Sequence, residues 1–261
     1  MKPRRPVVED NAPGAALLSR ARVVLHGTTH SGNIGAAARA MKTMGIGRLY
    51  LAEPRALIDS AARAMAAGAL DVLAAARVCD DLPSAISDCA TVFAFTARPR
   101  DFSPVSVGVR EAGAIAAEKM AASGEIAFVF GGERSGLSNE DVRRAGYVAA
   151  IPSSAAYWSL NLAQAVQVAV YELRCAVISG GGAEKTPADA PPTQEQMEML
   201  LAHCGEFLAD IKMPKRGDGG LLPARLRRLL SRAEPDASEI RMLRGILTAA
   251  RKKTANSPCG E

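Results

Sequence analysis

The stretch RVVLHGTTHSGNIGAAARAMKTMG, residues 22–45, decides the fold class. Residues 22–25 join an arginine to β-branched and apolar side chains, which predicts a short buried strand. A polar, glycine-rich loop follows over residues 27–35, and the alanine-rich run at 36–44 predicts a helix. Outward from this unit the alternation recurs. Strands are predicted at 48–51, 91–96, 125–130 and 147–151, and helices at 61–76, 111–122 and 160–178. Strands alternating with helices of this length predict an α/β domain with a mostly parallel sheet.

The chain has 261 residues, enough for one large domain or a domain with an appendage. At 48% apolar and 23% charged it is neither disordered nor collagen-like. Aromatic residues make up only 4%, while alanine and glycine abound, which favours helices packed closely on a sheet over a β-sandwich. No apolar run approaches the roughly 20 residues of a membrane helix, so no membrane partner is expected. Cys79, Cys89, Cys175, Cys204 and Cys259 form no C-x-x-C pair, and His26, His30 and His203 lack an acidic or thiol partner at ligand spacing. Neither a disulfide framework nor a metal site is expected. Early charges near the N-terminus are followed by Glu9 and Asp10 and by no apolar core, so residues 1–20 read as a flexible tail of a cytoplasmic protein and not as a signal peptide.

Residues 179–193, SGGGAEKTPADAPPT, read as a linker. It divides a body at 21–178 from an extension at 194–261, in which helices are predicted at 194–211, 222–232 and 238–252. Charge is divided the same way. The chain's net +5 combines a local +8 between residues 212 and 253 with −3 over the remainder. A basic helical tail suggests a polyanionic partner, although a solvated helix surface explains it equally well. The candidate phosphate-binding side chains of the tail are Lys215, Arg216, Arg225, Arg227 and Arg228.

Three loops follow strands in the body: residues 27–35, 131–137 and 151–161. In a parallel α/β sheet such loops line the ligand crevice, and glycine lets a ligand approach the backbone closely. None matches G-x-G-x-x-G or the P-loop pattern, so a dinucleotide or ATP site is not supported. Taken singly each loop is an ordinary turn, Arg39 a surface cation, and Glu133 with Arg134 a plain ion pair. Taken together they are specific.

THSGNIGAAARAMKTMG (29–45), FGGERSGLSNE (130–140) and YWSLNLAQAVQVAVYE (157–172) resemble the three motifs of the SPOUT (TrmH-type) RNA 2′-O-methyltransferases. The tail LLPARLRRLLSRAEP (221–235) is similar to the C-terminal extension of members that act on tRNA. The resemblance implies a fold that composition could not show: the C-terminal part of the body threads through a loop to make a trefoil knot, an exception to the rule against knots. It also implies S-adenosylmethionine as cofactor, tRNA as substrate, nucleotide 32 (C or U) of the anticodon loop as target, and a homodimer built through helices beside the knot.

Carried over residue by residue, the resemblance makes Arg39, Asn33, Ser159 and Asn161 the catalytic set. It places cofactor contacts at Thr96, Ala97, Gly131, Ile151, Trp158, Ser159 and Leu160. Glu133 and Arg134 would organise the second loop and the RNA path. Asn33 would position Arg39 or the target ribose. A guanidinium stays protonated near neutrality and is a poor base, so Arg39 is expected to stabilise the developing alkoxide and the neighbouring phosphate. Methyl transfer from a sulfonium is an in-line displacement that needs alignment and no metal. Two positions depart from the family pattern: Trp158 stands where a small serine is common, and Gly132 where an arginine is common. Trp158 could narrow the pocket, stack on a ligand or simply pack. The rival readings are a ribosomal RNA 2′-O-methyltransferase, a non-catalytic RNA-binding member with a vestigial pocket, and a dehydrogenase, the last lacking its glycine fingerprint.

Overall fold

The computed structural model describes residues 12–97, 104–180, 191–212 and 222–255. Its seven strands among those residues are β1 (Ala21–His26), β2 (Arg48–Ala52), β3 (Arg77–Cys79), β4 (Thr91–Phe95), β5 (Val105–Gly108), β6 (Ile126–Gly131) and β7 (Tyr147–Ala150). They form one sheet in the order β3-β2-β1-β6-β4-β7-β5, and every pairing is parallel. Register sets His26 beside Gly131, and Phe95 beside both Phe130 and Ala149. The C-terminal ends of β1, β6, β4 and β7 are therefore neighbours, and the three glycine and serine loops emerge side by side.

The body's helices are α1 (Ala12–Leu18), α2 (Ser31–Thr43), α3 (Ser60–Ala66), α4 (Leu70–Ala74), α5 (Leu82–Ile86), α6 (Val109–Ala121), α7 (Asn139–Arg144) and α8 (Leu162–Ser179). Alternate residues of each strand point to opposite faces, so the sheet has two cores. Val23, Leu25, Phe93, Phe95, Phe128 and Phe130 meet α2, α6 and α8 on one face. Val24, Tyr50, Ala94, Ala127 and Val129 meet α5 and α7 on the other. The scarce aromatics are concentrated in the first core, where Phe95 and Phe130 stack at 4.6 Å and Phe93 meets Phe128 edge-on at 5.3 Å.

Several elements differ from expectation. Residues 12–18, expected within a flexible tail, form α1 and bury Leu17 and Leu18. The helix expected at 61–76 breaks at Ala67, whose φ of +47° ends α3 before a single 3-10 turn leads into α4. α2 begins at Ser31, because only the residues up to His30 are extended (φ −120°, ψ 112°), so much of the glycine loop is helical. β3 and β5, of three and four residues, are edge strands too short to show a period.

The N-terminal end of the sheet carries an ion network. Arg22, 1% exposed, donates to both oxygens of Asp88 at 2.6 Å, to Glu125 and to the Ala85 carbonyl at 3.0 Å, and lies over the Tyr50 ring at 4.4 Å. Arg48 pairs with Glu125 at 2.7 Å. The extension docks at this same end. Its helices are α9 (Gln194–Asp210), α10 (Leu222–Ala233) and α11 (Ala237–Ala255). The Gln194 and Glu195 amides donate to the Cys89 and Ser87 carbonyls at 2.8 and 2.9 Å, continuing from the capping box that Thr193 and Gln196 build. Glu234 accepts from the Tyr147 hydroxyl and from Lys119, both at 2.7 Å. Burial and the Glu234 carboxylate push the Tyr147 phenol up, so it remains a donor. The expected linker lies largely outside the described residues, with Ser179, Gly180 and residues 191–193 at its two edges.

Burial alone pushes the carboxyls of Asp88 and Glu125 up, but hydrogen bonds and charge from Arg22 and Arg48 hold both below their ordinary values. A depressed carboxyl stabilises the fold above its unfolded pKa and loses that contribution as pH falls through the folded value. Arg22→Ala is expected to cost about 2–3 kcal/mol at pH 7, at or below the low end for breaking a buried pair because both acids reach solvent. The variant should also show a shallower loss of stability between about pH 5 and pH 3. Urea denaturation at both pH values checks this, and an acid dependence equal to that of the unsubstituted chain would overturn the assignment.

Candidate active site

Glu133 lies in the loop after β6 and reaches back across the sheet to the loop after β1. One carboxylate oxygen accepts from the Thr29 amide and hydroxyl, both at 2.9 Å. The other accepts from Asn33 Nδ2 at 2.8 Å and from the His30 amide at 3.3 Å. Burial alone raises its pKa, but these donors outweigh that and hold the carboxyl below its ordinary value. Glu133 is thus a fixed anion whose acceptor positions are used by the protein.

The network has one direction. Glu133 only accepts, so Asn33 must present its amide nitrogen. The Asn33 oxygen is then left to accept from Asn161 Nδ2, at 3.0 Å. The Asn161 oxygen in turn caps α8, accepting from the Ala163 and Gln164 amides at 2.9 and 3.4 Å. All three loops are joined through one line of hydrogen bonds, from Glu133 to Asn33 to Asn161 to the start of α8.

Beside this line lies a half-open cleft of about 180 Å³ between the ends of β4, β6 and β7. Every expected cofactor contact lines it: Thr96, Ala97, Gly131, Ile151, Trp158, Ser159 and Leu160. So do Glu133 and, at the exposed rim, Arg134. Sequence reasoning missed its apolar wall of Phe95, Phe130, Leu162 and Ala165. These sit where a strand period or helix face meets the site, so they looked like plain core. Thr29 was missed as well, and only the three-dimensional placement of Glu133 shows its role.

Asn33, Ser159 and Asn161 come to the cleft or its supporting network, but Arg39 does not. It is exposed on α2 outside the lining, and the Asn33 amide is committed to Glu133 and Asn161 instead of to Arg39. In the extension, Arg225 and Arg228 are exposed, whereas Arg227 turns inward to Glu198 at 2.5 Å. Lys215 and Arg216 lie outside the described residues. Among the described residues no group of three His, Cys, Asp or Glu side chains gathers to hold a metal, and no helix is long and apolar enough to cross a membrane.

The Gly132 departure has a steric explanation. A Cβ there would lie 2.6 Å from the Gly27 carbonyl oxygen, so a larger residue requires the first loop to move. At Gly131 a Cβ would meet the Gly136 carbonyl carbon at 2.1 Å, which keeps the second loop folded back on itself.

Glu133→Gln tests the network. A neutral amide has one oxygen where the carboxylate has two, so its nitrogen must face donors on Thr29 or Asn33. The expected cost is about 1–3 kcal/mol, the range for leaving buried polar groups unpaired. Amide hydrogen exchange should speed up around residues 29–33 and 131–137 together. Faster exchange in one loop only would show that the loops are not coupled through this carboxylate.

Residues 20–171 match the SpoU rRNA Methylase family, and residues 195–258 match the C-terminal domain of the tRNA methyltransferase TrmJ. The chain is 38% identical over 235 residues to tRNA (cytidine/uridine-2′-O-)-methyltransferase TrmJ of Sodalis glossinidius, covering 89% of this chain and 92% of that one. It is 41% identical over 245 residues to the tRNA (cytidine/uridine/adenosine-2′-O-)-methyltransferase TrmJ of Pseudomonas aeruginosa, covering 90% and 95%. The crystal structure of TrmJ from Z. mobilis superposes with a TM-score of 0.74 at 31% identity, over 87% of this chain and 97% of that one. With its body matched to one family and its extension to the domain that follows it in TrmJ, the protein belongs to the SpoU methylase family and to the TrmJ group within it.

Proposed function

We propose that this chain transfers a methyl group from S-adenosylmethionine to the ribose 2′-hydroxyl of nucleotide 32, C or U, in the tRNA anticodon loop. The observation that carries the proposal is the cleft itself, lined by all seven positions expected to touch the cofactor and braced by the Glu133–Asn33–Asn161 line. The match of the extension to the TrmJ C-terminal domain supports tRNA over ribosomal RNA.

The residues present suit the cofactor. An adenosine needs an apolar slot with backbone donors and acceptors at its edge, and a methionine moiety needs groups of both charges. The wall of Phe95, Phe130 and Leu162 provides the slot, the second and third loops provide backbone edges, Arg134 provides a cation, and Glu133 adds a nearby negative charge without a free acceptor position. When bound, S-adenosylmethionine supplies an electrophilic methyl group on a sulfonium. The chain's own task is alignment. Asn161 fixes the start of α8, and with it the position of Ser159 two residues earlier, against the first loop. Glu133 is too fully hydrogen-bonded to serve as the base. Arg39 is assigned to stabilise the alkoxide that develops as the hydroxyl proton leaves, a role for a fixed cation and not for a proton acceptor.

A homodimer belongs to the same proposal. Tyr171 and Ile178 present an apolar outer face on α8, 52% and 49% exposed. α2 packs alongside α8, with Arg174 donating to the Met44 carbonyl at 3.2 Å, so a second copy on this face would lie near Arg39. The trefoil threading is also part of the reading. It is supported by the position of β4 between β6 and β7, which brings the second and third loops beside the end of β4.

The test is incubation of the chain with labelled S-adenosylmethionine and unmodified tRNA, followed by nuclease mapping of the methylated ribose. Label at nucleotide 32 is expected. Label confined to ribosomal RNA in a parallel reaction would overturn the tRNA reading, and no transfer to any RNA would favour a non-catalytic binding protein. Arg39→Lys should lower turnover by about tenfold or more, the scale of one lost transition-state hydrogen bond, with little change in cofactor affinity. Unchanged turnover would remove Arg39 from the mechanism.

A further inference from the structure

At the N-terminal end of the sheet, α7 of the body meets α10 of the extension in a shallow notch. Arg143 on α7 and Arg227, Arg228 and Ser231 on α10 line it, together with Pro104, and no acidic side chain is among the lining residues. The three arginines differ in their engagement. Arg227, its side chain 12% exposed, is held by Glu198 of α9 at 2.5 Å. Arg144, next to Arg143, pairs with Glu140 at 2.7 Å and faces Glu198 at 3.8 Å. Arg143 and Arg228 are exposed, and among the described residues neither makes a hydrogen bond or ion pair. Their guanidinium groups come from two different domains, and the salt links on either side hold them together.

We propose that Arg143 and Arg228, with the Ser231 hydroxyl, form a composite subsite for a backbone phosphate of the tRNA. The inference rests on the tRNA reading above and extends it to a residue of the catalytic body outside the cleft. The notch has a volume of only about 10 Å³, too little to enclose a free metabolite, so its occupant is a group anchored elsewhere on a larger polyanion. Paired guanidinium groups suit the oxygens of a phosphodiester, with a hydroxyl as a further donor. The subsite lies at the opposite end of the strands from the cleft. β7 alone, with its four residues, separates the two by about 13 Å. An RNA that uses both must run along the body from the extension's docking face to the site of chemistry. Arg227 has a different part: it braces α10 on α9 and does not itself meet the phosphate.

The experiment measures binding of unmodified full-length tRNA to the full chain by fluorescence anisotropy between about 50 and 200 mM salt. Arg143→Ala and Arg228→Ala are each expected to weaken binding about fivefold or more. Each should also reduce the slope of log affinity against log salt by about one, the mark of a lost phosphate contact. Arg143→Lys should keep the slope. S-adenosylmethionine affinity, measured by calorimetry, and melting temperature should be unchanged, since neither residue lies in the cleft or the core. Unaltered affinity and slope in both alanine variants, with tRNA still bound by the parent chain, would overturn the subsite alone. A parent chain that binds no tRNA would overturn the functional reading beneath it. A fall in cofactor affinity or melting temperature equal to the fall in tRNA affinity would assign both arginines to folding and so also overturn the subsite.

Discussion

The geometry of the cleft depends on a single carboxylate. Glu133 collects four donors from the first loop while standing in the second, and through Asn33 it fixes the third. Loops at the end of a parallel sheet have few apolar contacts to hold them, because they must remain open to a ligand. Here the holding is done by hydrogen bonds of fixed direction, and each member is committed by the one before it. A carboxylate suits the head of such a line because it accepts on both oxygens and never competes as a donor. The same commitment leaves Glu133 without a free acceptor position.

The two ends of the sheet do different work. At the C-terminal end, loop backbone and an apolar wall surround a small cleft that remains accessible. At the N-terminal end, Arg22, Arg48, Asp88 and Glu125 close the sheet with charge that runs from the buried Arg22 to the exposed Asp88. Beside them the extension is seated through Glu234, Tyr147 and Lys119. Tyr147 links the two ends physically. It opens β7, stacks on Phe93 at 5.1 Å, and β7 leads directly into the third loop. The extension is therefore seated on a strand that ends at the cleft, although it docks at the opposite end of that strand.

Much of this could be read from the sequence because its signals are local. The strand–loop–helix unit at residues 22–45 gave the right architecture, and the second and third motifs fall on two of the loops that line the cleft, the first on the loop that braces them. What could not be read depends on contacts distant in the chain. No spacing reveals that Thr29 and Glu133, more than 100 residues apart, share hydrogen bonds. The break at Ala67 was hidden because alanine favours helix on propensity alone, while the backbone there takes a positive φ between the buried Ala66 and Ala69. Leu17 and Leu18 looked like part of a tail because two leucines make no period, yet they fill a gap in the core. The lack of an arginine at position 132 was visible, but its reason, a carbonyl in the space a side chain would need, was not.

Charge counting shows the same limit. A local net of +8 marks the extension as a candidate partner for a polyanion, but the sum does not say which cations are available. Arg227 is used by Glu198, and Arg251 by Glu206 and Asp210, so part of the apparent basic surface joins helix to helix. These internal pairs give the remaining arginines their meaning. A guanidinium on a loosely tethered helix attracts phosphate without selecting its position. One held at a fixed place relative to the cleft can set the register of a bound RNA, because its distance from the reacting groups is fixed by the sheet between them. On this view the acidic residues of the extension, which lower its net charge, make its remaining positive charge useful for recognition.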